Sequence, residues 1–150
     1  MTVPTTRRIP VAVEPPGTLP RALGGDHTDS GTMRIRASDL RQAQQHTHRL
    51  RRHETQARRD PGALTVLLDV EVVIAPIARQ ARATQSLLSD RERISESSST
   101  IRYIGTPEGL ATLIADIHAA KVADGVTLIP LDDHDSTRLI TDRVLPLLDS

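Results

Sequence analysis

Between Ile101 and Leu148 the chain passes through an ordered alternation of signals that restricts its fold more than any other feature. A short extended run enters Gly105-Thr106-Pro107-Glu108, and an amphipathic helix follows to about Lys121, with Leu110, Leu113, Ile114 and Ile117 on one face. Thr106 is the predicted N-cap, and Pro107 takes the first helical position, where a missing N–H costs nothing. Asp124-Gly125 turns the chain into an apolar strand, Val126 to Pro130, and Ser136 is expected to cap a last helix to Leu148. Such an order belongs to the last β/α turns of a parallel α/β protein.

The alternation extends upstream. Residues 1–8 read as a flexible tail and 9–150 as one domain. Ile9 to Glu14 is a candidate strand, stopped by Pro15, Pro16 and Gly17. Thr18 is a plausible N-cap for a short helix through Leu23, and Gly31 to Arg36 is a second, weaker strand. Ser38 is the expected cap of a helix to about Arg59, with Leu40, Ala43, Thr47 and Leu50 as its buried stripe. Leu64 to Ala75 is long, β-branched and nearly continuous, as a strand covered on both faces requires. Pro76 is expected to open a helix to about Leu88, and Ser95 to Thr100 form a polar linker.

A chain of 150 residues fits one domain, whereas a complete (β/α)8 barrel usually needs about 250. Zero net charge offers no bulk attraction to nucleic acid or membrane. With Tyr103 as the one aromatic residue, the core must be aliphatic and the fold marginal. No cysteine is present, which removes disulfides, thiolate catalysis and thiolate zinc sites. The N-terminus lacks a sustained apolar run, and the apolar stretch Val72 to Ala78 is broken by Pro76, so neither a signal peptide nor a membrane span is expected. The expected compartment is cytoplasmic.

The Gly105-Thr106-Pro107-Glu108 corner, the Asp124-Gly125-Val126 strand start and the closing Val144-Leu145-Pro146-Leu147-Leu148 helix resemble the C-terminal end of the luciferase-like, flavin-dependent monooxygenases. Gly17-Thr18, His27-Thr28-Asp29, the arginine-rich helix, Asp60-Pro61 and the Leu64–Ala75 strand match that family's order as well. The family's opening strands have no counterpart. The resemblance therefore implies a partial TIM-type barrel of about four β/α units, similar to strands five to eight. It further implies a truncated or split flavin monooxygenase, an oxidoreductase using FMN or a deazaflavin and molecular oxygen on a small organic substrate. The isolated chain is expected to bind that cofactor weakly at best. The alternative is a non-catalytic remnant or interaction module that keeps only the fold.

Two corners are candidates for cofactor binding. Gly17-Thr18 resembles the family's contact for the flavin phosphate: glycine permits close backbone approach, and a helix N-terminus offers free N–H groups. An ordinary turn and N-cap explain the same residues. Gly105-Thr106 is the second, since barrels often hold phosphate near their last two strands; capping alone, with Pro107 making the corner rigid, is the preferred account. No catalytic residue is assigned and no metal set is recognised. Asp69 and Glu71 lie two apart on a strand and share a face, as acid/base carboxylates, an oxygen-rich metal pair or, preferably, members of a paired polar layer. His46, His48 and His53, with Arg41, Arg49, Arg51, Arg52, Arg58 and Arg59, read as a solvated outer helix rather than a metal or nucleic-acid site. His134 follows a strand end, where barrel chemistry occurs, within an acidic loop.

A half-barrel is expected to leave edges at Ile9–Glu14 and Val126–Pro130 and to expose apolar inner faces. A homo-oligomer, or a complementary N-terminal half-barrel chain, is the expected partner.

Overall fold

A computed structural model describes residues 9–14, 31–91, 100–132 and 135–149. The expected tail (residues 1–8), the helix from Thr18 to Leu23 and the linker up to Ser99 lie outside the described residues, as does His27-Thr28-Asp29.

Among the described residues five strands form one sheet: β1 (Val11–Val13), β2 (Thr32–Ile35), β3 (Thr65–Ile74), β4 (Ile101–Gly105) and β5 (Gly125–Pro130). Every pairing is parallel. β3 is the axis. One edge pairs with β5 along Leu67–Val72. The other pairs first with β2, along Thr65–Leu68, and then with β4, along Val70–Ile74. The Ile101 N–H donates to the Ala37 carbonyl at 3.0 Å and joins the end of β2 to the start of β4.

Contrary to expectation, β5 is not an edge: β1 lies on its far side. The physical reason is Gly125. A Cβ at this position would overlap the Pro10 carbonyl, which accepts the Val126 N–H at 3.1 Å. Only glycine lets the two backbones approach this closely.

The helices follow the strands: α1 (Leu40–Gln56), α2 (Ala78–Asp90), α3 (Pro107–Ala119), α4 (Asp135–Leu139), a π turn (Ile140–Val144) and α5 (Leu145–Leu148). The cap of α1 is Asp39 rather than Ser38. Its carboxylate accepts the Gln42 N–H at 2.7 Å, and an anion suits the helix's positive end. Ser38 instead donates its hydroxyl and backbone N–H to the Gln42 side-chain oxygen. Ala43 and Thr47 are buried as expected, Leu50 partly, while Leu40 is exposed. Pro76 stands outside α2, which begins after Ile77. Ser136 is no cap. It is fully buried and its hydroxyl accepts the Ile74 N–H at 2.9 Å, tying the last helix to the end of β3. The Asp132 carboxylate takes up the Ser136 N–H. The π turn precedes Pro146, which cannot donate and whose ring crowds the carbonyl of Asp142; widening the helix relieves both.

Helices α1 and α3 both end in Schellman motifs. Arg58 and Lys121 occupy the left-handed position, with φ of 61° and 58°, where glycine is usual. In α1 the Arg59 N–H reaches Glu54 and the Arg58 N–H reaches Thr55; in α3 Val122 reaches Ile117 and Lys121 reaches His118.

Strand period divides the sheet into two faces. Val66, Leu68, Val70, Val72 and Ile74 of β3 join Ile35, Val126 and Leu128 beneath Ala43, Leu110, Ile114, Ile117, Ile140 and Val144, in one aliphatic core. The alternate residues point to the opposite face.

A charged face of the sheet and the corner after β4

Position two in each strand repeat places Glu14, Arg34, Arg36, Asp69, Glu71, Arg102 and Thr127 on the face away from the aliphatic core. Asp69 and Glu71 do share a face, and each meets arginine. Arg34 Nε donates to Asp69 Oδ1 at 2.9 Å, and Arg34 Nη1 to Glu14 Oε1 at 2.7 Å. Arg36 lies 3.9 Å from the other Asp69 oxygen. Arg102 donates to Glu71 at 3.3 Å. One guanidinium thus links β2 to β3 and, across β5, to the chain leaving β1. These carboxylates form the paired polar layer that strand spacing suggested.

Burial falls unevenly on the pair. The Asp69 side chain is 7 % exposed and that of Arg34 is 26 %. Desolvation therefore raises the Asp69 pKa, against the lowering pull of Arg34 and Arg36. For Arg34, burial also works against the charge, but its bonds to Asp69 and Glu14 prevail and raise its pKa. Beside this layer two buried donors, Thr127 Oγ1 and Arg102 Nε, have no hydrogen-bond partner among the described residues.

At the carboxyl end of β4, Thr106 caps α3 as expected: its hydroxyl accepts the Gly109 N–H at 3.2 Å. Tyr103, overlooked in the sequence beyond its rarity, folds over this corner and donates its hydroxyl to the Thr106 carbonyl at 3.0 Å. Its ring explains both glycines. A Cβ on Gly105 would stand 2.7 Å from the Tyr103 oxygen, and one on Gly109 would overlap it. The Gly105 carbonyl accepts the Ala75 N–H, locking the corner to β3. Pro107 has no donor and the Gly109 N–H goes to Thr106; the Glu108 pKa is lowered, first by its own backbone N–H, with Arg143 adding to the shift. The Glu108 carboxylate in this first turn is paired with Arg143. Gly17, Thr18 and His134 lie outside the described residues.

The arginine-rich helix is only partly solvated. Arg51 Nη2 donates to both carboxylate oxygens of Asp124, at 2.7 and 2.6 Å, and its Nη1 donates to the carbonyls of Pro61 and Leu64. Asp124 also accepts the Val66 N–H at 2.7 Å, so α1, β3 and the turn before β5 meet at one ion pair. Among the described residues no three histidine or carboxylate side chains gather as a metal-ligand set. No helix among them is long and apolar enough to cross a membrane.

The missed partners had a signal. Arg34 and Arg36 alternate with Met33 and Ile35, and two basic residues at strand period mark one polar face. What sequence could not supply was which strand would lie beside them.

No family model and no curated protein matches the sequence. Solved structures do. DmoA from Hyphomicrobium sulfonivorans superposes with a TM-score of 0.66 at 15% identity, over 81% of this chain and 38% of that one. EDTA monooxygenase (EmoA) from Chelativorans sp. BNC1 gives 0.65 at 13%, over 80% and 42%. Riboflavin lyase (RcaE), solved with modified FMN and riboflavin, gives 0.66 at 16%, over 80% and 38%. These are luciferase-like monooxygenase structures, so the resemblance read from the motifs recurs at the level of fold. The chain spans about two fifths of their length.

Proposed function

We propose that the chain is a truncated or split luciferase-like monooxygenase, part of a flavin-dependent oxidoreductase for a small organic substrate. The supporting observation is the likeness to such enzymes over four fifths of this chain and only two fifths of theirs. The all-parallel sheet with helices packed on one face supports reading the chain as a partial TIM-type barrel of about four β/α units. The strand order β1-β5-β3-β2, with β4 also on β3, departs from the sequential order of a barrel, and β1 sits against β5 where a complementing strand would otherwise lie. The charged face is then the lumen side.

FMN or a deazaflavin is the cofactor in this reading, and when bound it supplies the redox chemistry. At Gly105-Thr106 the Gly109 N–H already goes to Thr106, Pro107 has no donor and Glu108 brings a negative charge, all of which weigh against a phosphate there. Weak binding by the isolated chain follows. The reading also places the protein in the cytoplasm, as a homo-oligomer or joined to an N-terminal half-barrel that provides the missing strands.

Titration of the chain with FMN, followed by flavin fluorescence, tests it. Binding should be weak alone and tighten when a chain carrying the missing strands is added. Tight one-to-one binding without any partner contradicts the truncated reading. The non-catalytic alternative draws on the charged face, whose carboxylates are satisfied by arginines of the same chain. No flavin binding and no substrate-dependent oxygen uptake with the complementing chain present would favour it.

A further inference from the structure

The arginines of this chain divide into two groups. Arg34, Arg36, Arg51, Arg59, Arg102, Arg138 and Arg143 each lie within ion-pair distance of a carboxylate. Arg41, Arg49 and Arg52 on α1 have no ion-pair partner among the described residues, and all three are exposed. At 100° per residue they fall on one side of α1, together with Gln45, His48 and Gln56, opposite the buried Ala43 and Thr47. The helix has one acidic residue, Glu54, and it is bonded to Arg59 on another side. The row therefore carries three uncompensated positive charges over about 16 Å of helix axis. Beside its C-terminal end opens a shallow groove of about 400 Å³ lined by His48, Arg51, Arg52, Thr55, Gln56 and Pro61.

We infer that this face of α1 docks an acidic segment of a partner protein. Charge complementarity selects the chemistry: three uncompensated guanidiniums on flexible stems, about 12 and 4.5 Å apart along the helix axis, attract carboxylates rather than cations. The groove, with the Pro61 ring in its wall, accepts one side chain of such a segment. A nucleic acid is the poorer fit, because the chain contains no Phe or Trp, and Tyr103 is committed to the corner after β4. An anionic membrane is poorer still, because the exposed row contains no apolar residue to enter a bilayer. The inference is independent of the proposed function, since this helix face lies on the other side of the aliphatic core from the charged layer.

The test is fluorescence anisotropy of a labelled oligoglutamate peptide titrated with the full chain, at low and at physiological salt. Binding should weaken with salt and fall by about tenfold or more in the Arg41→Gln/Arg49→Gln/Arg52→Gln variant. Arg79→Gln/Arg82→Gln removes two exposed arginines of α2 that have no ion-pair partner among the described residues and should leave affinity unchanged. Circular dichroism confirms that both variants fold. No binding, an equal loss in the α2 variant, or tighter binding of a single-stranded oligonucleotide or of phosphatidylserine vesicles would overturn the inference.

Discussion

The two faces of the sheet are built from the same strands and held by different physics. Toward the helices, β3 presents Val66, Leu68, Val70, Val72 and Ile74, all nearly or fully buried. Away from them it presents Leu67, Asp69, Glu71 and Val73, and the carboxylates are matched by arginines from β2 and β4. The first face tolerates no charge and draws its stability from aliphatic burial. The second contains charge that is stable only while paired, because each partner is partly desolvated. One strand thus shows how alternation alone can separate a core from an ion-pair layer.

Breaking the apolar face should do the most damage. Val70→Asp places a carboxylate at a fully buried position without a cationic partner, and a loss of about 4 kcal/mol or more is expected. Urea unfolding followed by circular dichroism measures it; a folded variant with a near-normal midpoint would show that the face is not sealed.

Arg34→Met strikes the charged face and should cost about 2–3 kcal/mol near neutral pH, since Asp69 remains buried and loses its main partner. The sign with pH follows from Asp69. Its folded pKa already lies above the ordinary carboxylate value, and removing Arg34 raises it further. The unfavourable contribution of this group is absent below the unfolded pKa and grows as pH rises through the folded one. The defect of the variant should therefore shrink on acidification, and a defect of constant size from neutral to acid pH would refute the assignment. Glu54 and Glu108 act in the opposite sense. Their pKa values are lowered, first by Arg59 for the former and by a backbone N–H for the latter, so their small exposed contributions fade as pH falls.

At the rim between the faces, Gly109→Ala should displace the Tyr103 hydroxyl from the Thr106 carbonyl, with a loss of about 1–2 kcal/mol. Tyr103→Phe should lose less, and combining the two should be less than additive. Additive losses in thermal unfolding would mean that the ring does not secure the corner. Outside both faces, Lys121→Gly relieves a left-handed backbone and should stabilise by about 0.5–1 kcal/mol. A decrease in melting temperature would contradict the Schellman assignment.

The strands and helices were legible because each rests on local rules. The unbroken Leu64–Ala75 run indicated a strand covered on both sides, and the stripe of Leu110, Ile114 and Ile117 indicated a helix facing the core. Thr106 and Pro107 marked the start of α3 because a cap and a proline act within a single turn. Helix ends were less legible. Arg58 and Lys121 sit where glycine would have announced a stop, so α1 and α3 end a few residues before the positions that sequence suggested. Asp39 and Ser38 are both good caps, and only the geometry of Gln42 distinguishes them.

Periodicity in the sequence determined that Asp69 and Glu71 would face one way, that Val70 and Val72 would face the other, and that the units would be parallel β/α. Tertiary structure decided the rest: that β1 would lie against β5, that β2 and β4 would share one edge of β3, and that Arg34 would reach both Asp69 and Glu14. Side-chain alternation is encoded within a few residues. Strand neighbours are chosen by contacts between segments far apart in the chain, where a hydrogen on Gly125 in place of a methyl admits one backbone and excludes the alternatives.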